Sequence, residues 1–194
     1  MQLNIYLVSH PLIKQLSNEI IHTSTTNNPL HYAKYNKLNI LLVYEVIRKW
    51  LTIDDIYIHY LDYTKEIYKF NKKESYLIVT DLTSCGDLMS ALRLMLPQIN
   101  TYHIYFNKTH NKYLHNDCLY NEITTIMKAQ KIIIIEKFLD HDSISPLLDY
   151  LFLEKNISMH QIRLICITCK SSLLEKIARK YPHLHIYTTK IHSY

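Results

Sequence analysis

Residues Lys131–Tyr150 read KIIIIEKFLDHDSISPLLDY. The run Ile132–Ile135 is β-branched throughout and too short for a helix, the pattern of a strand buried on both faces, as in a parallel sheet under helices. Farther on, Ser145-Pro146 followed by Leu147, Leu148 and Leu151 predicts a helix start with proline at its first position. Strand, turn and helix in that order put the turn at the carboxyl edge of a sheet, where α/β proteins bind ligands. The turn predicted here is Glu136-Lys137-Phe138-Leu139-Asp140-His141-Asp142-Ser143, with no glycine. A loop that cradles phosphate needs backbone N–H groups at close range, which favours glycine. The turn has the position of a phosphate site without its chemistry.

Outward from this unit the alternation continues on both sides. Upstream, Ser75–Thr80 (SYLIVT) is a buried strand, and Ser84 with Asp87 predicts a capped start for a helix through Leu88, Ala91, Leu92 and Met95, closed by Pro97. Thr101–Phe106 is the next strand, and 107–121 is polar and irregular. Downstream, Ile162–Thr168 is a buried strand, Ser172 with Glu175 forms an S-x-x-E box before a helix, and Leu184–Thr188 is the last strand. Towards the N-terminus, Met1–Ile13 reads as an extended lead. A helix over about 30–51 carries Ile40, Val43, Tyr44, Ile47 and Leu51 on one stripe. Ile56–Tyr63 and Glu66–Phe70 predict a hairpin turning at Thr64-Lys65. The order implies an α/β fold: a Rossmann-like parallel sheet flanked by helices, with a small β-hairpin, as one domain over 1–194.

Composition narrows the classes. The chain has 194 residues, 48% of them hydrophobic and a single glycine, Gly86, so a packed core is affordable and flexible linkers are absent. Heavy use of Ile, Lys, Asn and Tyr points to an A/T-biased genome, a statement about codons only. No apolar run approaches the roughly 20 residues of a membrane span, and the opening MQLNIYLVSHPLIK lacks the features of a secretory signal. Four cysteines do not make a disulfide framework in a chain of this size, so a reducing compartment is expected. A net charge of +5 permits nucleic acid as a partner without requiring it.

Several pieces resemble one family. His10-Pro11-Leu12-Ile13-Lys14 resembles the HPL(I/V)-K opening of uracil phosphoribosyltransferases, and Tyr44-Glu45 matches their Y-E. The segment 180–187, KYPHLHIY, is similar to their A/K-H-P-D-V-x-(L/I)-Y. The resemblance implies a phosphoribosyltransferase-type fold and, for the family, transfer of uracil onto phosphoribosyl pyrophosphate with Mg²⁺, giving UMP and pyrophosphate. Three elements of that chemistry are altered here. The family's phosphoribosyl pyrophosphate loop, V-D-P-M-L-A-T-G-G-S, aligns with Ile135–Ile144: the acid survives as Glu136, while A-T-G-G becomes Asp140, His141, Asp142 and Ser143. Two carboxylates then stand where a phosphate should bind, and like charges at 4 Å repel by about 4 kcal/mol at an effective dielectric near 20. The pyrophosphate segment P-I-L-R-A-G-L-G-M aligns with Thr80–Leu88, so that Thr83 replaces the arginine and Gly86 is the only glycine left. The family's uracil-contacting segment lies beyond the residue aligned with Tyr194.

The expectation is therefore a catalytically inactive homologue, with no cofactor of its own and no catalytic residue, in which Glu136 would be the one surviving ribose or Mg²⁺ contact. Homologues of this truncated kind are encoded in red-algal plastids, which implies the plastid or chloroplast stroma as location, and otherwise the cytoplasm. The family dimerises, so the resemblance implies a homodimer or, with the chemistry lost, a subunit of a hetero-oligomer or larger assembly. An RNA-binding or regulatory role on the same fold is the rival reading. It lacks a Lys/Arg run longer than two residues or any RNA-recognition motif.

Other clusters have plainer readings. Cys166-Ile-Thr-Cys169 has redox-pair spacing but begins inside an apolar strand, so buried hydrophobes are preferred. His110, His115, Asp117 and Cys118 share a polar loop without any finger spacing, and no metal is assigned to them. His183 and His185 are expected on one exposed strand face.

Overall fold

The computed structural model describes residues 3–22, 29–48, 50–71, 74–96, 98–107, 112–114, 130–140, 142 and 144–193, with 81–87, 103–107 and 112–114 described by their backbone. The order is β1 (Asn4–Leu7), α1 (Pro11–His22), α2 (Pro29–Ile47), β2 (Ile53–His59), β3 (Thr64–Phe70), β4 (Tyr76–Asp81), α3 (Leu82–Met95), β5 (Ile99–Asn107), β6 (Lys112–Leu114), β7 (Lys131–Leu139), α4 (Ser145–Asp149), β8 (Ile162–Lys170), α5 (Ser171–Lys180) and β9 (His185–His192). Strands β1-β9-β8-β7-β4-β5 run parallel, and the short β6 adds antiparallel to β5. Strands β2 and β3 form a separate hairpin.

The two-residue repeat of the strands sorts the core into two layers. Ile133 and Ile135 face Leu38, Leu42 and Val46 of α2 and Leu88 and Leu92 of α3. Their neighbours Ile132 and Ile134 face Leu147, Leu148 and Leu151 on one side and Leu173 and Ile177 of α5 on the other. Each isoleucine of the run is at most 2% exposed, which is why polar alternation is missing from it.

Several boundaries differ from the sequence expectation, each for a physical reason. Strand β7 runs to Leu139, so half of the predicted turn is strand: pairing with β8 continues at Phe138↔Thr168 and Leu139↔Cys169, and Leu139 is fully buried. The hairpin turns at 60–63, not at Thr64-Lys65. Tyr60 N–H donates to Tyr63 O at 2.8 Å, and the two rings stack at 4.7 Å. Helix α3 starts at Leu82, so Ser84 lies within it. Helix α5 starts at Ser171 with Lys170 as its N-cap, which places Ser172 and Glu175 inside the first turns and leaves the S-x-x-E box unformed. A box does form at Ser158, whose N–H donates to Gln161 Oε1 at 3.3 Å. His183 sits in the turn before β9 at φ 72°, stacked on His160 at 5.5 Å, so it shares no strand face with His185.

His185 is half-buried in β9 and stacks on Tyr6 at 5.7 Å. Burial first, then the nearby Arg163 charge, pushes its pKa down from 6.5 to about 4. A depressed histidine is neutral in the native state while the unfolded chain protonates near 6.5, so native stability is fully present above that pH and falls as pH drops towards 4. The expected loss, on the order of 1 kcal/mol after allowing for solvent screening of a half-buried ring, should shrink in His185→Gln. Urea titrations at pH 7 and pH 4.5 on both chains check this, and an equal slope in the two would refute it.

Candidate functional site

The carboxyl edge of β7 and β4 is where the sequence places its candidate residues. Glu136 is on β7 opposite Cys166 and is half-buried, and Asp140 follows the last residue of the strand. Asp142 is exposed and turned towards α4, where its Oδ1 accepts from the Ser145 hydroxyl. Thr83 and Gly86 lie in the first turns of α3, which follows β4 directly. The structure thus brings Glu136, Asp140 and the start of α3 to neighbouring strand ends. His141 and Ser143, like His110, His115, Asp117 and Cys118, lie outside the described residues.

Two further residues meet at this edge. Lys137, next to Glu136, places Nζ 3.2 Å from Nε2 of His31 on α2, a residue 106 positions away. Lysine has only donors, so the ring nitrogen accepts and the ring proton sits on Nδ1. The ammonium also lies 5.4 Å from the Tyr35 ring centre and 5.3 Å from that of Phe138, within cation–π range. His31 is 5% exposed, and burial, then the Lys137 and Lys34 charges, hold its pKa below 6.5. Burial lowers the pKa of Lys137 as well. Nothing local in the sequence marks this pair: His31 sits among helix residues, and Lys137 reads as a turn residue until β7 is seen to continue past it. The rim therefore holds a cation beside its carboxylates, which the sequence reading did not weigh.

Mg²⁺ is held through one or two carboxylates plus substrate phosphates. Among the described residues no three His, Cys, Asp or Glu side chains gather into a metal cluster. Two hollows lie apart from this edge. One of about 340 Å³ is bordered by Tyr6, His10, Glu45, Arg48 and Tyr187, and one of about 420 Å³ lies between α1 and α2, bordered by Leu12, Leu16, Lys37, Ile40 and Leu41. No helix among the described residues is long and apolar enough to cross a membrane.

A six-strand parallel sheet covered by helices on both faces, with a detached hairpin, defines an α/β protein of phosphoribosyltransferase type. The fold is similar to that of the AQ2163 protein from Aquifex aeolicus, with a TM-score of 0.66, 16% identity, and 96% of this chain and 86% of that one covered. The family model described as uracil phosphoribosyltransferase matches residues 7–193. The chain belongs to the uracil phosphoribosyltransferase family. It is 28% identical over 193 residues to a protein of Pyropia yezoensis named uracil phosphoribosyltransferase homolog, covering all of this chain and 90% of that one. A protein of the same name from Porphyra purpurea gives the same identity and coverage. The uracil phosphoribosyltransferase of Nicotiana tabacum is 24% identical over 183 residues, covering 94% of this chain and 81% of that one.

Proposed function

We propose that this chain keeps the family scaffold without transferring uracil to phosphoribosyl pyrophosphate. One observation carries the reading: the strand–turn–helix that begins with β7 retains the acid, Glu136, but continues as Asp140-His141-Asp142-Ser143 where the family has A-T-G-G. Thr83 in place of the pyrophosphate-binding arginine supports it. Dianion binding is favoured by closely approached backbone N–H groups and a guanidinium; side chains at the glycine positions hinder that approach and add carboxylates, and Thr83 takes the guanidinium away. Calorimetric titration with phosphoribosyl pyrophosphate and Mg²⁺, run beside an assay of UMP formation from uracil, tests the proposal. Heat at the level of dilution and no UMP are expected, and measurable turnover overturns it. The red-algal relatives support the plastid stroma as the compartment, which a fluorescent fusion examined in the source cells would check.

The partner we propose is a second copy of this chain, engaged through the hairpin. Every strand residue of β2 and β3 is exposed except the partly covered Ile67, and Ile56, Tyr57, Tyr68 and Leu61 show apolar surface to solvent. A lone two-stranded hairpin is marginal in water, so an apolar one needs cover. The groove between α1 and α2 is apolar and carries Lys37, while residues 53–70 hold four acidic side chains against two lysines, so the two surfaces match in apolar character and oppose in charge. Light scattering on the full chain is expected to give a dimer, and Ile56→Asp with Leu61→Asp a folded monomer. A natural chain that stays monomeric at high micromolar concentration sinks the pairing.

A further inference from the structure

Two short motifs play no part in the reading so far: His10, which opens H-P-L-I-K, and Glu45 of Tyr44-Glu45. The fold brings them to one hollow of about 340 Å³ between the end of β1 and α2, with Tyr6, Arg48 and Tyr187 on its walls. Glu45 lies in the last turn of α2 and Arg48 one turn on, where its N–H still donates to the Tyr44 carbonyl at 2.9 Å. Arg48 donates to Glu45 Oε2 across 3.3 Å, and the carboxylate side is the more enclosed, 20% exposed against 55% for the guanidinium. His10 caps α1 with its ring: Nδ1 accepts from the Leu12 N–H at 3.3 Å, so in the neutral ring Nε2 carries the proton and is a donor. The aromatic wall is ordered by the sheet. Tyr6 on β1 stacks on Tyr187 at 4.7 Å and His185 at 5.7 Å, both on β9. No strand lies beyond β1 in this sheet, and the Tyr6 ring remains 41% exposed.

We propose that this hollow binds a free α-amino acid with an aromatic side chain. The walls carry one fixed negative and one fixed positive charge, and these decide the class. A phosphate or simple carboxylate would gain Arg48 but face Glu45, and an amine would gain Glu45 but face Arg48, so like charges meet in either case. A zwitterion meets both: its carboxylate takes the open guanidinium as a charge-assisted pair, and its ammonium takes the enclosed carboxylate. The two wall charges already hold each other at 3.3 Å, the separation over which an amino acid carries its own two. The side chain then lies towards Tyr6, whose ring offers an aromatic partner an offset-stacked or edge-to-face contact. Leu7 and Val8 border the same space and add apolar surface. The volume falls at the small end of ligand pockets, which suits a single amino acid. The hollow lies apart from the β7–β4 edge, so this binding stands whether or not phosphoribosyl pyrophosphate is bound there.

The test is calorimetric titration of the full chain with L-phenylalanine. One-to-one binding with a Kd on the order of 0.1 mM is expected for a ligand of this size. On the natural chain, 3-phenylpropionate lacks the ammonium and 2-phenylethylamine the carboxylate, and each should bind at least about 10-fold more weakly. Glycine, which lacks the ring, should not saturate. Among variants, Arg48→Gln and Glu45→Gln should each weaken L-phenylalanine by at least about 10-fold, and Tyr6→Leu by about 3- to 10-fold. The ligand series needs no variant, so a variant that folds poorly leaves the test intact. A natural chain that shows no saturation with 10 mM L-phenylalanine overturns the proposal. So does either truncated analogue binding as tightly as the amino acid, glycine binding equally well, or uridine binding more tightly, which would mark the hollow as a nucleobase site.

Discussion

A variant uniting Thr83→Arg with Asp140→Ala, His141→Thr, Asp142→Gly and Ser143→Gly is expected to bind phosphoribosyl pyrophosphate several hundredfold more tightly than the natural chain. Two terms set that size. A carboxylate 4 Å from a phosphate oxygen repels it by about 4 kcal/mol at an effective dielectric of 20. Asp142 is exposed, and its carboxylate is occupied by Ser145, so roughly half of that figure survives. The new guanidinium adds about 2 kcal/mol through charge-assisted hydrogen bonds. Together these give about 4 kcal/mol, or several hundredfold in affinity. Thr83→Arg alone should recover only about half of it on the free-energy scale, roughly 30-fold. Titration calorimetry with Mg²⁺ present measures both. A natural chain that binds as tightly as the five-residue variant would show that the acidic turn is no obstacle.

The second large effect lies at the amino ends of the strands. Glu74 gathers four donors: Lys131 Nζ at 2.5 Å, Thr52 Oγ1 at 2.9 Å, the Tyr76 hydroxyl at 2.9 Å and Thr52 N–H at 3.3 Å. Lys131 in turn donates to the Trp50 carbonyl at 2.5 Å and stands 5.6 Å from both the Trp50 and Tyr76 ring centres. Arg163 also approaches this tryptophan, 4.5 Å from the Trp50 ring centre. The pair is largely screened from water, with side-chain exposures of 22% for Lys131 and 14% for Glu74, so breaking it strands a charge. Glu74→Ala is expected to cost about 3 kcal/mol, a fall in Tm of roughly 6–12 °C for a chain of this length. The paired change Glu74→Leu with Lys131→Met should recover most of it, because burying neither charge removes the desolvation cost. Burial pushes the Glu74 carboxyl up, but its donors outweigh this and hold it below 4.5. Its contribution is therefore present at neutral pH and lost as pH falls through that depressed pKa. Denaturant unfolding at pH 7 decides the matter, and a cost under about 1 kcal/mol for Glu74→Ala would refute the network's role.

What could be read in advance follows from the range of each interaction. Ile132–Ile135, Ile162–Thr168 and Ser75–Thr80 announce buried parallel strands because burial on both faces removes polar alternation, a property of the strand itself. Ends are less legible. Strand β7 continues to Leu139 because β8 offers partners there, which the residues of β7 alone do not reveal. The hairpin turn moves to 60–63 because two tyrosine rings stack across it. At the candidate site, Glu136, Asp140 and Thr83 could be placed by order along the chain, since strand, turn and helix are local. The contact of Lys137 with His31 could not, being made by two elements 106 residues apart. Nor could the shared face of Cys166 and Cys169, which depends on a rung missing from the ladders of two neighbouring strands.

Strand β1 sits at the sheet edge with its whole length paired to β9, and Asn4 meets His185, 181 positions farther along the chain. During synthesis β1 is made long before β9, the strand it joins. Its docking closes a loop spanning Asn4 to His185, and the entropy of closure grows with loop length. Until then Ile5 and Leu7 have no sheet to lie against. This margin should zip up late and open early, so amide protons on β1 are expected to exchange well ahead of those in β7 and β8.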